Sequence, residues 1–242
     1  MVQTVLRILV IGAIFFFVGV AGAAAYFAYL PGPASAPAFF DEFNSSGTTR
    51  AFWHANSYGA SFAVHGSSLL MSGSQLELDR RIQTDPKKTI VFAKVSGIDF
   101  HKFAIGFGVY HAGTVGIEFD NDGVKCGRGT EHGWKIDYLR AWTKPPVGQW
   151  FYLELDVTNP YPGAKKVTPE MKKGSTITCA VYDSTGHLVV RDVATNPPSN
   201  TQYVALDEAY LRMWDGNNKY RVDWFYAGPP SGNPMARSLR GA

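Results

Sequence analysis

The sequence predicts an all-β fold, a two-sheet antiparallel β-sandwich preceded by one N-terminal hydrophobic helix. Three observations predict it. From Ala38 onward apolar residues alternate every second position instead of recurring at helical spacing. The same stretch is rich in Phe, Tyr, Trp, Val and Ile, and Gly, Pro, Asn and Asp interrupt it at short intervals, giving about a dozen short strands and no soluble helix. Ahead of it, Ile8 to Leu30 runs 23 residues without a charge.

That run accounts for residues 1–30 as a transmembrane anchor, since about 20 apolar residues cross a bilayer as a helix. Arg7 and the amino terminus precede it, and Asp41 and Glu42 are the first charges after it. The positive-inside bias then places the rest outside the cytoplasm. A cleaved signal peptide is the rival, because "VAGAAAY" offers Ala-x-Ala sites at Ala21 and Ala23 and at Ala23 and Ala25. Signal cores ordinarily run about 7 to 15 apolar residues, so the length here favours a retained anchor; a clipped leader would make the chain secreted. Residues 31–37, "PGPASAP", have the composition of a short semi-rigid spacer.

The sandwich is expected over 38–228. In "FAIGFGVY" Phe103, Ile105, Phe107 and Val109 share one face, with Gly106 and Gly108 on the other. In "VGIEF" Val115, Ile117 and Phe119 point inward, which turns Glu118 outward. In "FYLELDV" Phe151, Leu153, Leu155 and Val157 oppose Tyr152, Glu154 and Asp156. Residues 175–193 form a hairpin, "STITCAVY" and "HLVVRDV" about the turn "DSTG". The last strand, "KYRVDWFYAG", puts Tyr220, Val222, Trp224 and Tyr226 on one face; "GPPSGNP" then ends the ordered chain, leaving 229–242 as a flexible tail.

Charge excludes one class of partner. Residues 38–229 hold all 20 acids and 20 of the 23 Lys and Arg, so the folded part is formally neutral. Its basic pairs (Arg80-Arg81, Lys87-Lys88, Lys165-Lys166, Lys172-Lys173) are scattered, unlike a nucleic-acid footprint. Cys126 and Cys179 suit a disulfide outside the cytoplasm, and Cys179, alternating with Ile177 and Val181, equally suits a buried free thiol. The six His residues show neither zinc spacing nor a nucleophile motif.

In chain order "FFDEF", "SLLMSGSQLEL", "FAIGFGVY", "VGIEFDNDGVK", "PVGQWFYLELDVT", "TCAVYDSTGHLV" and "YRVDWFYAG" together resemble the concanavalin A-like lectin and glucanase superfamily, including its laminin-G-like jelly rolls. The resemblance spans about residues 38–228 and lies in strand and turn texture. It implies a jelly-roll sandwich and makes a glycan the first ligand to consider, since the superfamily includes lectins, glycoside hydrolases, polysaccharide lyases and adhesion modules. It also implies that a single structural calcium is the one ion to consider, at Asp120, Asp122 or Asp215; ordinary turn residues are the favoured reading of all three, and no cofactor is predicted.

"EFDND" at 118–122 is similar to the strand motif of family-16 glycoside hydrolases, in which Glu, Asp and Glu alternate. Its third carboxylate is Asp122, one methylene short and inside the "DNDG" turn. Retaining hydrolysis needs carboxyls about 5 to 5.5 Å apart, whereas strand residues four apart lie about 13 Å apart along the backbone. "ELDVT" at 154–158 has Thr158 where the last carboxylate belongs. Sugar recognition has better material: a Trp stacks on pyranose faces while Asp, Asn and Arg bond hydroxyls. The candidate contacts are Glu118, Asp120, Trp134, Arg140, Trp142, Trp214, Asp215 and Asn217. Trp53, Trp150 and Trp224 sit in strand patterns and are assigned to packing.

The sequence therefore predicts a membrane-anchored extracytoplasmic module that binds carbohydrate without cleaving it. A structural subunit packing against other surface proteins is the alternative, since exposed strand edges and aromatic residues suit protein contacts too. A glycoside hydrolase using Glu118 and Asp122 is the second alternative.

Overall fold

The computed structural model describes residues 38–82, 88–99, 102–109, 113–120, 123–130, 133–138, 147–158, 176–195 and 208–235, with the backbone alone at 99, 109, 113–114, 120, 127–130, 133–138 and 194–195. The expected membrane segment, 8–30, lies outside them; among the described residues no helix is long and apolar enough to cross a membrane.

Thirteen strands are described: β1 (Phe39–Asp41), β2 (His54–Val64), β3 (Leu69–Arg81), β4 (Lys88–Asp99), β5 (Lys102–Val109), β6 (Gly113–Asp120), β7 (Gly123–Thr130), β8 (Gly133–Tyr138), β9 (Trp150–Thr158), β10 (Thr176–Tyr182), β11 (Leu188–Thr195), β12 (Glu208–Trp214) and β13 (Asn218–Gly228). All the pairings are antiparallel. Hydrogen bonding runs through them in the order β11-β10-β9-β4-β13-β3-β12-β5-β6-β7-β8, with β1 on β13 and β2 on β3.

The ladder is continuous because β3 changes partner: Leu69–Gly73 pairs with β13, whereas Leu76–Arg81 pairs with β12. Its two ends face each other. Phe119 of β6 meets Phe151 of β9 at 5.3 Å, and Cys126 of β7 is disulfide-bonded to Cys179 of β10 with Cα atoms 6.0 Å apart. The disulfide settles the choice left open above. Layer A is thus β1, β13, β4, β9, β10 and β11; layer B is β2, β3, β12, β5, β6, β7 and β8.

Alternation fills the space between them. Phe103, Ile105 and Phe107, Val115, Ile117 and Phe119, and Phe151, Leu153, Leu155 and Val157 all lie in one buried cluster. The expected pattern fails in β13. Its register against β4 shifts between Val222 and Trp224, a bulge at Asp223 that moves everything after it to the opposite face. Tyr220 and Val222 stay in the core and are joined by Phe225 and Ala227, while Trp224 and Tyr226 turn outward.

Two segments depart from the expected strand-and-loop chain. Ser46–Phe52 forms a helix, α1, with Ser45 capping its start and Trp53 its end. Seven residues are too few to establish a 3.6-residue period against the surrounding alternation. Trp53 then enters the core, its Nε1 donating to Asp41 Oδ2 at 2.9 Å. Residues 229–235, assigned to a loose tail, pack down instead: the Tyr226 hydroxyl donates to Pro229 O at 2.6 Å, and Asn233 is buried.

Candidate functional site

Register across layer B builds a site that no single segment encodes. On the face turned away from the core, Glu77 of β3 pairs with Arg212 of β12, Arg212 with Ala104 of β5, Ala104 with Glu118 of β6, and Glu118 with Lys125 of β7. One row therefore carries carboxylate, guanidinium, methyl, carboxylate and ammonium groups. The next row runs Asp79, Tyr210, Gly106, Gly116 and Gly127. Three adjacent strands there carry no side chain over about 10 Å from first glycine to third, and the Tyr210 ring of the same row lies over the first of them.

The polar row is not a solvated strand face. Glu77, Glu118 and Arg212 are 9%, 3% and 4% exposed, and Tyr210 is fully buried. Arg212 Nε donates to Glu77 Oε2 at 2.8 Å, and its guanidinium carbon stands 4.6 Å from the centre of the Tyr210 ring. A charge withdrawn this far from water needs a partner in place, so the ion pair and the ring hold Arg212 rigidly. The Tyr210 ring in turn lies across Gly106, where a Cβ would stand 2.5 Å from the tyrosine oxygen and 2.2 Å from Val115 O. Glycine at 106 is thus a steric requirement. At the margin His54 Nδ1 lies 3.0 Å from Asp79 Oδ1.

Glu118 corrects an expectation. It does point away from Val115, Ile117 and Phe119, yet it is buried, not exposed. Two-residue alternation decides which face of a sheet a side chain takes; it does not decide whether that face meets water.

The other predicted contacts divide by position. Trp214 ends β12 on the same face as Arg212, opposite Lys102. Asp120 ends β6 two residues beyond Glu118, and only its backbone is described. Asp215 and Asn217 are exposed in the β12–β13 turn. Asp215 has positive φ, and its Oδ2 is 2.6 Å from Lys102 Nζ. Trp134 lies in β8 opposite Gly129, with its side chain undescribed. Arg140, Trp142 and Asp122 lie outside the described residues.

Asp215 already faces an ammonium, and Asn218 is spent on structure: its Oδ1 accepts from Lys102 N at 3.0 Å and its Nδ2 donates to Trp214 O at 2.8 Å. Among the described residues no group of three His, Cys, Asp or Glu could hold a metal ion.

Sequence reasoning missed Glu77, Tyr210 and Arg212, because the first lies on β3 and the other two on β12, and the register joining those strands is non-local. The available signal was "YLRMW", where a lone Arg alternates with Tyr and Trp opposite Leu and Met.

A second ionisable cluster occupies the outer face of layer A. The Tyr182 hydroxyl donates to Glu154 Oε2, and Lys88 Nζ lies 3.3 Å from Asp156 Oδ2. Burial raises the Glu154 carboxyl above its ordinary range, only partly offset by the bond from Tyr182. Burial and that same bond push the Tyr182 hydroxyl far up as well.

With this geometry in place, no protein-family model matches the chain, nor does any curated protein sequence. Solved structures do match. A protein of unknown function from Shewanella oneidensis MR-1 superposes with a TM-score of 0.53 at 10% identity, over 84% of this chain and 91% of that one. The marine PL-14 alginate lyase from Aplysia kurodai gives 0.52 at 10% identity, over 80% and 98%. The Bacillus licheniformis beta-glucanase gives 0.50 at 10% identity, over 80% and 99%. The fold is the concanavalin A-like jelly roll. At such identity the likeness is one of fold, and the jelly roll's site has to be argued from its own residues.

Proposed function

We propose that this jelly roll is a non-catalytic carbohydrate-binding module, held outside the cytoplasm by residues 8–30, and that its sugar lies on the outer face of layer B. The observation that carries the reading is the row of fixed polar side chains beside a trough of glycines. A pyranose needs a flat floor that no Cβ interrupts, and donors and acceptors at its edge for hydroxyls. Gly116 and Gly127, next to the Tyr210 ring that covers Gly106, supply the floor. Lys125, the partly exposed member of the row, stands at the edge, and the buried Glu77, Glu118 and Arg212 hold the sheet beneath it fixed. That an alginate lyase and a beta-glucanase share the fold supports a glycan as ligand.

Charge narrows the class. The described row has two carboxylates and two cations and is formally neutral, which favours a neutral glycan over a polyanionic one. Spacing speaks against cleavage. Glu77 and Glu118 are three strand steps apart, about 14 Å between backbones, and Arg212 engages Glu77 from between them. The carboxyl pairs of glycosidases stand about 5 to 9.5 Å apart.

Titration calorimetry with β-glucan and alginate oligosaccharides, paired with a reducing-end assay, tests both parts. Saturable heat from the neutral sugar without new reducing ends is the expected outcome. Silence with every glycan would leave the structural-subunit reading in its place, and cleavage would overturn the non-catalytic one.

A further inference from the structure

The chain enters the sandwich on the outer face of layer A, the face opposite the proposed sugar site. Ala38 packs there against a second apolar cluster in which Ile90, Phe92 and Tyr226 are buried, with Tyr152, Tyr182, Trp224 and Met235 partly buried around them. This cluster lies outside the space between the layers. Its rings touch: Phe92 stacks on Trp224 at 5.4 Å, Tyr152 lies 5.9 Å from Trp224, and Phe40 lies 6.1 Å from it.

Packing accounts for only part of the cluster. Met235 and the 229–233 segment cover the Phe92 and Tyr226 end. Phe40 remains 46% exposed, and Trp224, Tyr152 and Trp150 are half-buried. Lys94 stands among them, its Nζ 5.2 Å from the centre of the Trp150 ring and 2.7 Å from Asp223 Oδ2. A partly exposed face of Trp, Tyr and Phe has the chemistry of the membrane–water boundary, where amphipathic rings sit at headgroup level.

The length of chain before Ala38 says what lies near. Seven residues, 31–37, separate the apolar segment from it. A Pro-containing spacer of that length extends about 22 Å in polyproline II form and about 25 Å fully stretched, roughly the thickness of a two-layer sandwich with its side chains. With residues 8–30 in a bilayer, as proposed above, a spacer of that length would keep Ala38, at the rim of the aromatic face, within about that distance of it.

We infer that the face formed by Phe40, Tyr152, Trp150 and Trp224 rests on the phospholipid headgroup layer, which rests on the anchorage proposed above. Docking there turns layer B, with its glycine trough, away from the membrane toward external glycans. Asp223 neutralises Lys94, so the contact is carried by rings rather than charge, works on zwitterionic lipid, and withstands salt.

The test uses the full chain reconstituted in phosphatidylcholine nanodiscs, with tryptophan emission compared between ordinary lipid and lipid brominated near the headgroup. Strong quenching that persists at high salt, and is mostly lost in a W150F/W224F double variant, is expected. A chain that stays in membranes through a carbonate wash but shows no quenching, or quenching that the double variant keeps, overturns the docking and leaves the anchorage standing. Release by the carbonate wash overturns the anchorage itself. Protection of Trp224 by soluble β-glucan in place of lipid would overturn the lipid contact in favour of a second sugar platform.

Discussion

Replacing Cys126 and Cys179 together by alanine removes the one covalent tie between the two layers. The cysteines are 53 residues apart in sequence. In the loop-entropy account a crosslink of that span withdraws about 4 kcal/mol of chain entropy from the unfolded state. Both side chains are buried, so alanine also leaves a small void on each layer, which adds about 1 kcal/mol. Serine would confuse the measurement by burying two hydroxyls. For a domain of roughly 190 residues the unfolding entropy is about 0.4 kcal/mol per kelvin, so a loss near 5 kcal/mol lowers the melting temperature by about 12 °C. Denaturant unfolding of wild type and double variant measures the difference directly, and alkylation of the denatured, unreduced wild type should label no thiol. A double variant within about 1 kcal/mol of wild type would refute the reasoning, because the unfolded chain would then gain nothing from the tie.

Glu77→Ala strips the carboxylate from a buried guanidinium and should cost about 3 to 5 kcal/mol in denaturant unfolding, whereas the paired E77L/R212M change should cost much less than the sum of its parts. The pH dependence of Glu154 has a definite sign. Its raised carboxyl keeps a proton to higher pH in the folded state than in the unfolded one, so its stabilising contribution is complete below the unfolded carboxylate range and is lost as pH rises through the folded value. Glu154→Gln should therefore gain on wild type in unfolding stability as pH climbs from about 4 to 8, and a difference that stays flat over that range would contradict the burial-driven shift.

Much of the scaffold was legible because burial in a sandwich imposes one local rule, and "FAIGFGVY", "VGIEF" and "FYLELDV" obey it residue by residue. Where a second force intervened the rule misled. The bulge at Asp223 inverts the end of β13 and converts Trp224 from a core residue into part of an outer face, and nothing in the order Tyr220 to Tyr226 announces the extra residue. The disulfide was a question of which strands face each other, which alternation does not encode. The site was half legible. Glu118 and Trp214 do share the outer face of layer B, but the buried Arg212 that organises it is joined to Glu77 across 135 residues of sequence. Only the register β3-β12-β5-β6 makes them neighbours.

The glycine floor is the feature on which the sugar assignment stands, and filling it is the sharpest trial. Gly116 lies between Gly106 and Gly127, is buried, and does not have positive φ, so leucine there keeps the strand conformation and adds a side chain where the row has none. Calorimetric titration of wild type and G116L with a neutral β-glucan oligosaccharide should show saturable binding in the first and at least a tenfold loss in the second, with both chains folded by circular dichroism. Equal affinity in the two would place the sugar elsewhere on the molecule and contradict the assignment.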